Sequence, residues 1–76
     1  MLIETKNSTY EIEGDLIRKV AGEYSDRHMI GAEWVKFDHL PWPPKVGQLL
    51  CIIIGGFLVR TSRVQAIVVD SKNEED

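Results

Sequence analysis

The 76-residue chain is poor in the residues that build most chemical sites. It has one cysteine and two histidines, so it can form neither an internal disulfide framework nor a zinc site built on paired cysteines. It also lacks a glycine-rich phosphate loop and any known catalytic signature. We therefore expect a protein that is not an enzyme and that has no metal centre and no bound cofactor.

Long hydrophobic runs are missing as well. The main apolar run, Leu49–Val59, contains two glycines and is too short for a membrane-spanning helix, which needs about 20 apolar residues. The chain does not open with the charged and apolar pattern of a signal peptide. The expected location is the reducing cytoplasm, with no membrane partner.

The sequence also lacks a surplus of basic residues. Its formal net charge is −3, from nine Lys and Arg against twelve Asp and Glu, and three of those acids stand together at residues 74–76. We expect residues 1–70 to form one β domain and residues 71–76 a disordered acidic tail. A chain without excess positive charge is poorly suited to DNA phosphates, so we expect weak or no binding to duplex DNA.

What the sequence does contain is short runs of β-branched and large apolar residues, the clearest of which flank Gly55-Gly56. Glycines in this position suit a two-residue hairpin turn with positive φ, and that turn pairs Ile54 with Phe57 and Cys51 with Arg60. One face of the hairpin is then apolar and inward. The other face carries Leu49, Cys51, Ile53, Leu58 and Arg60.

This second face is too apolar to lie bare in water. We predict that its five residues form the interface of a two-fold homodimer, because an apolar centre edged by arginine is typical of interfaces. In the alternative, Trp34 and Trp42 fold over the same face within one chain.

The N-terminal third predicts a three-stranded meander, with turns at Asn7-Ser8 and Gly14-Asp15. In this register the inner row is Ile3, Ile12 and Ile17, and the outer row is Glu4, Glu11 and Arg18. Together with the hairpin, the predicted core is Ile3, Ile12, Ile17, Ile52, Ile54, Phe57 and Val59.

The middle of the chain is irregular and rich in aromatic residues. Residues 33–38 alternate like a short edge strand, and the prolines of residues 41–44 exclude a central strand. We predict that partners bind through Trp34, Phe37, Trp42 and Arg63, although Trp42 also suits a core plug that closes one end of the fold. Arg60 and Arg63 together suit a phosphate or carboxylate group, or are ordinary surface charges.

Short strands, frequent turns and the absence of helical periodicity define the fold class. We expect an all-β protein, a small and partly open SH3-like barrel or sandwich of five to seven antiparallel strands.

Two stretches, TKNSTYEIEGDLIRKV and VGQLLCIIIGGFLVRTSRVQAI, resemble short proteins of actinobacterial phages and prophages, which open on a similar hairpin and close on a "T-S-x-V" strand. The resemblance implies a small accessory protein of an infected or lysogenic cell and carries over no catalytic residue. The expected function is a non-enzymatic interaction module, an inhibitor or adaptor that binds a host or phage protein. The alternatives are a nucleic-acid-binding small barrel and a protein that sequesters a small ligand or nucleotide.

Overall fold

The computed structural model describes residues 1–22 and 30–69. Six strands make up its regular structure: β1 (Leu2–Thr5), β2 (Ser8–Glu13), β3 (Leu16–Gly22), β4 (Val35–Lys36), β5 (Leu49–Ile54) and β6 (Phe57–Val68). The predicted tail at residues 71–76 lies outside the described residues.

All the strand pairs are antiparallel, in the order β4-β3-β2-β1-β6-β5. The sheet curls into a half-barrel, so the predicted all-β class and the small open barrel of five to seven strands are confirmed. β1 is central to the order because it joins the N-terminal meander to the C-terminal hairpin through β6. Within the described ranges, no helix is long and apolar enough to cross a membrane.

The central hairpin has the predicted register. Ile54 pairs with Phe57, and Cys51 pairs with Arg60. Gly55 and Gly56 adopt φ of 57° and 83°, the left-handed backbone that a tight hairpin turn requires. At Thr61-Ser62 the register shifts by one residue and forms a β-bulge.

The predicted register of the meander is correct at its second turn and wrong at its first. Glu11 pairs with Arg18 and Ile12 with Ile17, as predicted. β1, however, is displaced by two residues, so that Ile3 pairs with Tyr10 and not with Ile12. A shift by an even number of residues keeps each side chain on its predicted face.

The cause of the shift is a side chain at the turn. Thr5 Oγ1 donates to the Ser8 carbonyl at 2.8 Å and accepts from the Ser8 amide at 3.2 Å. These bonds close the turn around Lys6 and Asn7. Hydroxyl groups that bond nearby backbone in this way compete with regular turn geometry.

The edge of the sheet at β4 turns back toward β5 and narrows the open side of the barrel. The Phe37 amide donates to the Asp15 carbonyl, and at the next residue the chain reaches β5. There the Asp38 amide donates to the Ile53 carbonyl at 2.7 Å, and the Ile53 amide donates to the His39 carbonyl at 3.0 Å. The predicted edge strand thus exists, but its regular part is two residues long.

The core lies inside the curl of the sheet. Five of the seven predicted core residues are buried, and they share the core with others that periodicity did not single out: Tyr10, Ile30, Phe37, Leu50 and Val64. Val59 is partly buried against this cluster. The prediction for Phe57 is wrong. It is 69% exposed, at the tip of the hairpin directly after the Gly55-Gly56 turn.

Candidate functional site

The predicted second face of the central hairpin is not uniformly exposed. Cys51 is 2% exposed within the single chain, and Ile53 is half-buried. Leu49, Leu58 and Arg60 remain exposed. The face is therefore divided, with a covered centre and two open flanks.

The cover comes from the segment after β4. Its backbone is bonded to Ile53 at one end, and further along the Trp42 indole Nε1 donates to the Leu49 carbonyl at 3.2 Å. Cys51 lies between these two attachment points on β5. Burial raises the pKa of the Cys51 thiol above its ordinary value, and the positive charge of Arg60 opposes this only in part. A buried, protonated thiol is a poor nucleophile.

An open groove lies at one flank of this face. It has a volume of about 610 Å³ and is lined by Trp42, Gly47, Gln48, Leu49 and Arg63. We call it the Trp42 groove. Trp42 and Arg63 were predicted to bind a partner and Leu49 to form an interface, so the structure brings three predicted site residues together.

One wall of the groove is a turn that is hydrogen-bonded to β6. The Gly47 amide donates to the Val64 carbonyl at 2.9 Å, and the Val64 amide donates to the Gln48 carbonyl at 2.8 Å. Arg63 Nη1 donates to the Gly47 carbonyl at 2.6 Å. A guanidinium has five N–H donors, so Arg63 is held in place and still has donors to offer a ligand.

The other two residues predicted to bind a partner lie elsewhere. Phe37 is buried in the core, so it cannot offer an exposed surface, because the alternation that places Trp34 outward turns Phe37 inward. Trp34 packs on the outer face of the meander, with the Arg18 guanidinium 4.6 Å from its ring centre. Trp34 therefore forms no part of the Trp42 groove.

A second concavity was not predicted as such. It has a volume of about 190 Å³, lies where the β1–β2 turn meets the β6 bulge, and is lined by Asn7, Ser8, Tyr10, Arg60, Thr61 and Ser62. We call it the bulge pocket. Arg60 and Arg63, which the sequence suggested as a pair, line two different concavities.

In the part of the chain that the structure describes, neither concavity is lined by a His, Cys, Asp or Glu side chain. Among residues 1–22 and 30–69, no three His, Cys, Asp or Glu side chains are grouped as metal ligands would be. His39 contributes its backbone to the bridge with Ile53, and His28 lies outside the described residues.

Comparisons with protein-family models, with characterised proteins and with solved structures found no match. The resemblance to actinobacterial phage proteins thus remains an expectation from the sequence.

Proposed function

We propose that this chain is a small non-enzymatic interaction module that binds a partner protein through the Trp42 groove. The observation that carries the proposal is the juxtaposition of an exposed tryptophan, an exposed leucine and a fixed arginine in one open groove. Tryptophan and arginine are the residues that most often dominate the energy of protein interfaces.

The groove also defines the chemistry of the partner. Trp42 and Leu49 offer apolar surface, and the free N–H groups of Arg63 suit a carboxylate. The fitting ligand is an extended segment with an apolar side chain next to an acidic one. Because the turn at Gly47 is hydrogen-bonded to β6, little conformational entropy is lost when the groove is filled.

In a cell, the proposed role is that of a phage or prophage accessory protein in the cytoplasm, acting as an inhibitor or adaptor on a host protein. The sequence resemblance supports this origin. The proposed function is binding alone and includes no catalysed reaction.

Nucleic acid is the second candidate ligand of the same groove. A tryptophan beside an arginine also suits a stacked base and a phosphate. The net charge of −3 disfavours this candidate, because phosphate binding needs a local excess of positive charge.

The test is capture from a bacterial lysate with three immobilised proteins: wild type, Trp42→Ala and Trp34→Ala. The two tryptophans are matched, since Trp42 is 42% and Trp34 is 36% exposed, but only Trp42 lines the groove. We expect wild type and Trp34→Ala to retain the same protein and Trp42→Ala to lose it, with no effect of nuclease. Equal retention by Trp42→Ala would refute the groove, and retention abolished by nuclease would support nucleic acid.

A homodimer through the second hairpin face is a further part of the proposal. Its surface is smaller than the sequence suggested, because Cys51 is covered within the chain. The exposed flank at Leu58, next to Arg60, is left for a second copy. Analytical ultracentrifugation should show a wild-type dimer and a folded Leu58→Glu monomer; a wild-type monomer at high concentration would refute the dimer.

A further inference from the structure

The bulge pocket has the composition of a ligand site that accepts negative charge. Each of its six lining residues carries a hydrogen-bonding side chain, and none is a carboxylate. Arg60 is its one charged residue, and in the described part of the chain no Asp or Glu forms an ion pair with it. Its volume of about 190 Å³ corresponds to about six waters at ~30 Å³ each, which fits a small polar ligand and excludes a large apolar one.

The hydroxyl groups of the pocket are tied into the fold. Thr61 Oγ1 donates to the Leu50 carbonyl at 2.9 Å, and the Tyr10 phenol lies close to the side chains of Ser8 and Thr61. Tyr10 is buried, and burial raises the pKa of its phenol, which keeps the phenol protonated.

A second chain of bonds fixes the opposite wall. The Asn7 amide donates to Ser62 Oγ at 3.4 Å, and Ser62 Oγ donates to Thr5 Oγ1 at 3.1 Å. Thr5 Oγ1 in turn donates to the Ser8 carbonyl. The guanidinium of Arg60 and the carboxamide of Asn7 make no hydrogen bond within the described part of the chain, so both remain as donors for a ligand.

We propose that the bulge pocket binds a small oxyanion, a phosphate or carboxylate group, between Arg60 and Asn7. A guanidinium binds either group through two parallel N–H···O bonds, and the carboxamide supplies a further donor. The bonds from the Asn7 amide to Ser62 and from Ser62 to Thr5 hold the turn against the bulge. This site is separate from the Trp42 groove, and its failure would leave the proposed function intact.

The experiment follows amide and side-chain N–H resonances of the ¹⁵N-labelled protein during titration with sodium phosphate, sodium acetate or sodium chloride at matched ionic strength. We expect saturable shifts at Asn7, Ser8, Arg60 and Ser62 with phosphate, acetate or both, and none with chloride. The salt that saturates identifies which oxyanion the pocket takes. Shifts that never saturate, or that follow ionic strength alone, would overturn the proposal.

Variants make the test specific. Arg60→Ala should weaken binding about tenfold or more through loss of the charge-assisted bonds, and Arg60→Lys should weaken it less. The matched control is Lys36→Ala, which removes the same charge from an exposed residue of β4 and should leave the affinity unchanged. Arg60 is exposed, so its variants should keep the wild-type spectrum. Equal affinity of Arg60→Ala and wild type, or equal losses in Arg60→Ala and Lys36→Ala, would also overturn the proposal.

Discussion

The N-terminal meander and the C-terminal hairpin differ in the polarity and burial of their outer faces. Along the meander, buried residues such as Ile3 and Ile17 alternate with polar outer residues such as Glu4 and Arg18. Along β5 the alternation fails, because the outward Cys51 is as well buried as its inward neighbours. The meander can face water directly, whereas the hairpin needs a cover.

This difference locates the apolar surface that the hairpin leaves open. The cover after β4 is attached at Ile53 and at Leu49, and it leaves apolar side chains open on both sides of Cys51. One of these openings is the Trp42 groove. Trp42 and the three prolines lie in this cover, beside a hairpin whose outer face has almost no polar residue, which suits the proposed binding there.

The first way to break the comparison is to remove a core residue from the hairpin. Ile52 is 0% exposed, and Ile52→Ala should lower the free energy of unfolding by about 2–5 kcal/mol. This is a large fraction of the total stability of a small domain. Phe57→Ala, at the exposed tip of the same hairpin, should change it by about 0.5 kcal/mol. Chemical denaturation measures both; similar losses would mean that Phe57 is part of the core after all.

The second prediction compares the two outer faces directly. Cys51→Ser places a hydroxyl in a buried position. An unsatisfied buried hydroxyl lowers the free energy of unfolding by about 1–3 kcal/mol. Val20→Ser makes a polar change on the outer face of the meander, where Val20 is exposed, and should cost about 0.5 kcal/mol or less. Equal effects of the two changes, measured by thermal or chemical unfolding, would show that the hairpin face is not covered.

Local chemistry explains which parts of the fold the sequence predicted. The Gly55-Gly56 turn gave the correct register, because glycines at positive φ dictate a two-residue turn. Asn7-Ser8 gave the wrong one: no non-glycine residue in the described ranges has positive φ, and a Thr5 hydroxyl bond replaces the expected turn geometry. Short-range patterns do not reveal which of several nearby hydroxyls closes a turn.

The long-range contacts were beyond such patterns. The bridge between His39 and Ile53 and the pairing of β1 with β6 join residues far apart in sequence, and they decide that Trp42, rather than Trp34, meets Leu49 and Arg63. The bulge pocket also depends on these contacts, because the pairing of β1 with β6 places the β1–β2 turn against β6. The sequence signal for this pocket was the hydroxyl residues at the β1–β2 turn and at the β6 bulge. Such residues are usually interpreted only as turn formers.

The third prediction uses one buried titratable group from each region. Burial raises the pKa of Tyr10 above 10.0 and that of Cys51 above 9.0. The folded state therefore holds these protons more tightly, so their contribution to stability is complete below about pH 9 and is lost as the pH rises through the raised pKa values. The free energy of unfolding should decline in alkaline solution. Cys51→Ala should remove the part of this decline that begins near pH 9. An identical alkaline profile for this variant would contradict the burial of the thiol.

The smallest effect is expected on the outer face of the meander, where Arg18 bonds Glu11 and stacks on Trp34. Its Nη2 lies 2.8 Å from Glu11 Oε1 and its guanidinium 4.6 Å from the indole centre, but the Arg18 side chain is 38% exposed, so water and salt weaken both contacts. A double-mutant cycle with Glu11→Ala and Arg18→Ala should give a coupling of about 0.2–1 kcal/mol, and the Arg18–Trp34 cycle about 0.5–1 kcal/mol. Raising the salt concentration should reduce the first coupling more than the second. A coupling of several kcal/mol would mean that this face is covered in solution, and the contrast between the two regions would then disappear.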